Sequence, residues 1–337
     1  MSTIVEWQSW VSLRNCLSFS VFGGHVFGIR MNNVNRVPTI DDYLKAPAHS
    51  SRQTGGCRSA IKRQSSPEQP LVSITTIVLN RKETLPKTIM SVLNQSYPNI
   101  EYIVVDGAST DGTLEIIKQF DDKIDLWISE PDRGSSDAQN KAFSLARGDM
   151  VFWLSSDDWI DPDFIELAVK AILSSGVDFV FGDMAMYKDE KLVSVLKGEK
   201  DYAKSLMSGN PRFNFPSMLI KRACFQKLGL LDQTYKISND YEWTLRLHLA
   251  GGNGLYESRL IAHREIGGIA DEHPFRSVLE RLRVLRQHGL PTTKAVAIHL
   301  PHFVRRGVGH FVKLFFPDII YKKLKRAVGK GSPAPLS

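Results

Sequence analysis

The sequence predicts an α/β protein built on a mostly parallel sheet flanked by helices. Residues 72–78, Val-Ser-Ile-Thr-Thr-Ile-Val, form a β-branched run of the kind buried on both faces of a parallel sheet. From there strands and helices alternate at βαβ spacing, which places helices on both sides of the sheet. Finally, Asp106, Asp157, Asp158 and Asp183 each follow a predicted strand, at the sheet edge where such folds bind ligands.

Each element has its own signal. Leu85, Ile89, Val92 and Leu93 share one face of a helix, which Tyr97-Pro98-Asn99 ends. Residues 100–105 read as the second strand, 106–112 as a turn with two glycines, and 113–120 as the second helix. A short strand at 126–128 precedes the Pro131-Asp132-Arg133-Gly134 turn, and a helix covers 137–146. The apolar strand at 150–154 runs into Asp157-Asp158. Pro162, at a favoured first helical position, opens a helix to Leu173. A further strand is expected at 177–181.

The flanks differ in composition. Residues 1–70 hold no sustained period and are expected to be disordered or loosely attached; Met31 is an alternative start. Residues 71–265 form the expected main domain, in two halves over 71–183 and 184–265; the motifs given below imply a catalytic domain with a nucleotide-binding half and an acceptor half in that order. Residues 266–337 are expected to be a helical, basic extension. Within it Phe303, Phe311, Phe315 and Phe316 interleave with Arg305, Arg306 and Lys313, a pattern that suits either an anionic membrane surface or packing on the catalytic domain.

The 337 residues carry a net charge of +7, which favours anionic partners. No recognised nucleic-acid-binding module accompanies that charge, so nucleic acid is not expected as a partner. Cys16, Cys57 and Cys224 are scattered, which argues against a disulfide framework and for a reducing compartment. No stretch is long and apolar enough to span a bilayer, so the expected location is cytoplasmic, including the inner face of the cytoplasmic membrane.

Two adjacent carboxylates repel unless a cation or hydrogen bonds compensate. Asp157-Asp158 therefore reads either as an acidic turn or as a site for Mg²⁺ or Mn²⁺, which bind one or two carboxylates plus substrate phosphates. Asp106 can accept a hydrogen bond from a base or ribose. Arg133, in a glycine-containing loop, can face a diphosphate or simply lie on the surface. His263, ending a strand-like segment, is either a further metal ligand or a structural histidine.

Several motifs in order are similar to those of family-2 glycosyltransferases. They are Val72-Ser73-Ile74 through Asn80-Arg81, Ser91-Val92-Leu93-Asn94-Gln95-Ser96-Tyr97-Pro98 and Val105-Asp106-Gly107-Ala108-Ser109-Thr110-Asp111-Gly112-Thr113. Ser129-Glu130-Pro131-Asp132-Arg133-Gly134, Asp137-Ala138-Gln139-Asn140-Lys141-Ala142 and Ala146-Arg147-Gly148-Asp149 continue the series, and Ser156-Asp157-Asp158 falls at the family's acidic metal motif. The resemblance implies a GT-A-type nucleotide-diphospho-sugar transferase fold and an inverting glycosyltransferase. Its donor would be a nucleotide-sugar, its acceptor a glycan or lipid-linked glycan, its cofactor a divalent cation, Mn²⁺ or Mg²⁺.

By that resemblance Asn80, Asp106 and Asp157 serve the nucleotide-sugar, Asp158 with Asp157 the metal, and Asp183 the acceptor side. Asp240, ahead of a Leu245-Arg246 ending, maps onto the catalytic base, whose task is to deprotonate the acceptor hydroxyl. Leu79 before Asn80, Gly107 after Asp106 and Ser155 before the acidic pair depart from the family pattern. A non-catalytic glycan- or membrane-associated partner is the alternative. A sugar-phosphate nucleotidyltransferase is disfavoured because residues 77–81 lack the expected glycines.

Overall fold

The computed structural model describes residues 37–212, 215–267, 273–293, 295–297 and 300. The expectations for residues 1–36 and for the aromatic and basic segment from Phe303 onward lie outside the described residues.

The sheet is built outward from β2 (Val72–Val78), whose β-branched residues are buried on both faces. β3 (Ile100–Asp106) and β5 (Met150–Trp153) flank it in parallel, and β4 (Leu126–Ser129) continues in parallel beyond β3. β1 (Gln53–Gly55) closes that edge antiparallel to β4. On the other side the order runs through β9 (Met218–Lys221), β7 (Phe179–Lys188), β10 (Gly254–Glu265) and β6 (Asp158–Ile160). β7 and β10 are parallel; the other ladders there are antiparallel. β8 (Lys191–Leu196) forms a hairpin with β7. From β2 to β5 the strands and their helices follow the sequence expectation to within two residues.

Helices cover both faces. α2 (Leu85–Leu93) and α5 (Phe164–Ser175) bury Leu85, Ile89, Phe164 and Ile172 against one face, where Phe152 meets Phe164 at 5.1 Å between ring centroids. The other face carries α4 (Ser135–Leu145), α7 (Arg222–Leu228) and α8 (Asn239–Leu249). There Phe143, Phe225 and Trp243 pack in series, the last two stacked at 4.2 Å. A side chain buried as fully as Trp243 contributes several kcal/mol, with truncation to alanine costing about 3–5 kcal/mol. Smaller helices are α1 (Ile40–Leu44), α3 (Thr113–Gln119) and α6 (Tyr202–Met207), and α9 (Pro274–Gln287) packs beside α8.

Three features differ from the sequence expectation. Residues 37–70 are not loose: Arg52 pairs with Glu130 at 2.6 Å, Arg58 with Glu101 at 2.5 Å and Arg63 with Asp125 at 2.7 Å. These ion pairs and the β1–β4 ladder carry most of the attachment, with only Ile40 and Tyr43 packed on the core, so hydrophobic periodicity carries little trace of it. The second is β6, which leaves the end of β5 and pairs at the far edge of the sheet. Asp183 is the third: the strand does not stop at Phe181 but runs on to Lys188, so Asp183 sits inside β7. Gly182 permits this, because a Cβ there would lie 2.0 Å from the Leu260 carbonyl oxygen of β10.

Candidate active site

The loops after β2 and β3 are tied together by short polar side chains. Asp106, fully buried at the end of β3, accepts from the Ser109 amide at 3.1 Å, the Ser109 hydroxyl at 2.5 Å and the Ser129 hydroxyl at 2.6 Å. Asn80 takes a left-handed backbone with φ 53°, which asparagine tolerates better than most residues. Its N–H donates to Ser109 Oγ at 2.8 Å and its Oδ1 accepts from the Thr110 N–H at 2.9 Å. Asp106 and Asn80 are therefore brought together as the frame of one loop pair. Gly107 lies tight against the next loop, where an added Cβ would meet the Asp132 carboxylate at 2.5 Å.

Arg133 projects from that loop and is 75% exposed, paired with the buried Asp137 at 2.8 Å. Asp137 also accepts from the Tyr43 hydroxyl at 2.7 Å, a contact that anchors α1 beside α4.

Asp157 is half-buried and Asp158 is buried. The turn carrying them is stapled to α2 by two hydroxyls: Thr84 donates to the Ser156 carbonyl at 2.9 Å and Thr88 to the Asp158 carbonyl at 2.8 Å. In the ladder between β6 and β10, Asp158 stands opposite Arg264 and Trp159 opposite His263. Alternation along a strand puts Asp158 and Arg264 on one face and Trp159 with His263 on the other. His263 is stacked on Trp159 at 5.3 Å and bonded through Nε2 to Asp161 at 2.9 Å. The structure thus places His263 with Asp161, on the face opposite Asp158.

Asp240 lies in the first turn of α8, where a helix N-terminus favours negative charge. Burial pushes its carboxyl above the usual range, opposed by the Tyr241 amide at 2.7 Å and by the charges of Arg281 and Arg264. Arg264 is thus the cross-strand partner of Asp158 and also lies within electrostatic reach of Asp240. The neighbouring Asn239 donates to Ser136 Oγ at 2.6 Å and so ties α8 to α4. Glu242 points elsewhere, as helical spacing predicts, into a buried cluster with Arg246 at 2.9 Å and His288 at 3.1 Å.

Asp183 accepts from the Gly198 amide at 2.9 Å and the Tyr256 hydroxyl at 2.7 Å. Burial and this carboxylate push the Tyr256 hydroxyl up to about 12. Sequence reasoning missed Arg264 and Arg281. A signal for Arg281 exists: it falls on the helix face of the buried Val278, Val284 and Leu285, a charge where the apolar period calls for a core residue.

Among the described residues, no three His, Cys, Asp or Glu side chains gather as a metal cage. The half-buried Asp157 beside the buried Asp158 supplies the oxygen donors that suit a hard cation, which draws its remaining oxygens from phosphates and water. The set does not fit the closed nitrogen and sulfur cage of a structural zinc.

This arrangement, with a parallel first half and an acidic turn ahead of a mixed second half, is the GT-A-type fold. The mannosyltransferase PcManGT of Pyrobaculum calidifontis, solved with GDP-Man and Mn²⁺, superposes with a TM-score of 0.50 at 18% identity. It covers 85% of this chain and 88% of that one. The family model for glycosyl transferase family 2 matches residues 73–237, and the chain belongs to that family.

An uncharacterized glycosyltransferase of Haemophilus influenzae is 35% identical over 166 residues, 47% of this chain and 65% of that protein, so the chain spans just under two thirds of its length. An Escherichia coli UDP-Glc:α-D-GlcNAc-diphosphoundecaprenol β-1,3-glucosyltransferase is 27% identical over 65% of this chain and 87% of its own.

Proposed function

We propose that this protein is an inverting glycosyltransferase. It moves a sugar from a nucleotide-diphosphate donor to a hydroxyl of a glycan or lipid-linked glycan. The observation that carries this reading is that Arg264 stands across the ladder from Asp158 and also acts electrostatically on Asp240. The Escherichia coli relative acts on a sugar held on diphosphoundecaprenol, and the same acceptor class suits this chain.

Asn80, Asp106 and the loop of Arg133 shape the nucleotide pocket. Asp157 and Asp158 are the residues that would hold a divalent cation, which neutralises charge on the departing diphosphate. Asp240 takes the proton of the acceptor hydroxyl. Its burial makes it a stronger base than a solvated carboxylate, while Arg281 and Arg264 help to keep it ionised. Asp183 orders the acceptor side through Tyr256 and Gly198. An acceptor face next to a lipid carrier also suits a place at the inner membrane surface; among the described residues no helix is long and apolar enough to cross a membrane.

The test is a transfer assay with UDP-glucose and a diphosphate-linked GlcNAc acceptor, with and without Mn²⁺. Transfer should require the cation and fall by about 10²–10⁴-fold in Asp240→Asn. Transfer that persists without the cation and in Asp158→Ala would refute the reading.

A further inference from the structure

Arg281 is a charge without a partner. It stands on the face of α9 that buries Val278, Val284 and Leu285, where the helix period calls for an apolar side chain. Its Nε is shut off from solvent with no hydrogen bond, and among the described residues the guanidinium forms no ion pair. Burial holds the group below the ordinary arginine range, opposed by the charges of Asp240 and Tyr241. A guanidinium taken out of water in this way costs free energy that no bond among the described residues offsets.

The neighbouring acid is already engaged. Glu280 accepts from the Lys236, Ile237 and Ser238 amides at 3.1, 2.9 and 3.0 Å, and from Arg276 at 3.2 Å. The Ser238 hydroxyl in turn donates to the Ser277 carbonyl at 3.2 Å. These bonds fasten α9 to the chain entering α8, two residues ahead of Asp240. Arg281 follows Glu280 directly and is thereby held within electrostatic reach of Asp240 without pairing with it. Its charge acts on that carboxyl more strongly than the charge of Arg264 does.

We propose that Arg281 binds an oxyanion of the acceptor, the phosphate that joins the acceptor sugar to its carrier. This rests on the reading of Asp240 as the base. In an inverting displacement the attacking hydroxyl and the departing diphosphate stand on opposite sides of the anomeric carbon. A cation near the base therefore serves the acceptor, while the donor diphosphate belongs with Asp157, Asp158 and their metal ion. An acceptor sugar on a diphosphate carrier brings its anion within one sugar ring of the attacked hydroxyl. A planar guanidinium with free N–H groups meets phosphate in a two-point contact. A neutral glycoside leaves the same charge unpaired, so the site selects against it.

Calorimetry on the full chain with UDP and Mn²⁺ tests this by comparing octyl-diphosphate-linked GlcNAc, octyl GlcNAc and an octyl glucuronide. The diphosphate should bind about 10–100-fold more tightly than octyl GlcNAc, the gain of a charge-assisted contact. In Arg281→Gln that preference should vanish while the affinities for octyl GlcNAc and for UDP stay as they were. Arg281→Lys should keep part of it, as a point charge without the fork. The guanidinium has no bond to lose, so the thermal midpoint of Arg281→Gln should hold or rise, which an arginine with a structural role would not allow. Equal affinity of the unsubstituted chain for the diphosphate and octyl GlcNAc overturns the proposal, as does a glucuronide bound as tightly as the diphosphate. A loss in Arg281→Gln that falls on UDP, or on every acceptor alike, overturns it too. Diphosphate selection that depends on Arg281 in a chain that transfers no sugar would uphold the site and sink the reading of Asp240 as base.

Discussion

Arg264 of β10 stands directly across the antiparallel ladder from Asp158 of β6, on the same face of the sheet. The carboxylate assigned to the cation therefore has a fixed positive neighbour before any ligand arrives. This neighbour offsets the repulsion between Asp157 and Asp158, and it lies in the field of Asp240 as well.

Replacing Arg264 by glutamine separates those two effects. Without the guanidinium the acidic pair attracts a divalent ion more strongly, so half-saturation by Mn²⁺, read by calorimetry on the nucleotide complex, should fall severalfold. Transfer should fall as well, by roughly 10–100-fold, because a positive charge beside the proposed cation and diphosphate site is lost. Unchanged cation affinity would show that Arg264 does not act on the pair.

Asp240→Asn should lower transfer by about 10²–10⁴-fold, the usual share of a positioned base, while leaving UDP affinity within about twofold. The pH profile carries the sign. Burial raises the carboxyl of Asp240, and a carboxylate in the proposed role of base acts only when deprotonated. Activity should therefore decline as pH falls through a value above the ordinary carboxylate range, and that limb should disappear in the residual activity of Asp240→Asn.

Gly182→Ala tests how tightly β7 and β10 meet beside Asp183. An added Cβ would sit 2.0 Å from the Leu260 carbonyl oxygen and 2.4 Å from its Cβ, so backbone must move. Overpacking of this kind costs about 1–3 kcal/mol, which should lower the thermal midpoint by roughly 2–10 °C. No change in midpoint would mean that the two strands separate freely.

The parallel half was legible because its strands are continuous apolar runs and its helices are amphipathic, both of which are local signals. Asp106 and Asp157-Asp158 were legible for the same reason, as acids ending apolar strands. What stayed hidden depends on partners far apart in sequence. Arg58 finds Glu101 and Arg63 finds Asp125 across many intervening residues, and no periodicity records either meeting. β6 is three residues long and is defined by the β10 ladder rather than by its own composition. At the end of a strand-like segment His263 read as either a ligand or a structural histidine. Its face was set by register, which a single residue's shift would reverse.

Glu130 offers a test of the ionic attachment of residues 37–70. It is buried, and burial by itself would raise its carboxyl. Arg52 at 2.6 Å, Lys141 and the His49 amide at 3.2 Å overcome that and hold it at about 2, against an ordinary value of 4.5. A depressed carboxyl contributes stability that is fully present above the unfolded-state value and is lost as pH falls through the folded one. The window is therefore from about 4.5 down to about 2, and the contribution is on the order of 2–3 kcal/mol. Urea unfolding at pH 7 and at pH 3 should show Glu130→Gln less stable than the unsubstituted chain at pH 7, with the gap narrowing at pH 3. A gap independent of pH would mean that the attachment rests on packing rather than on this charge.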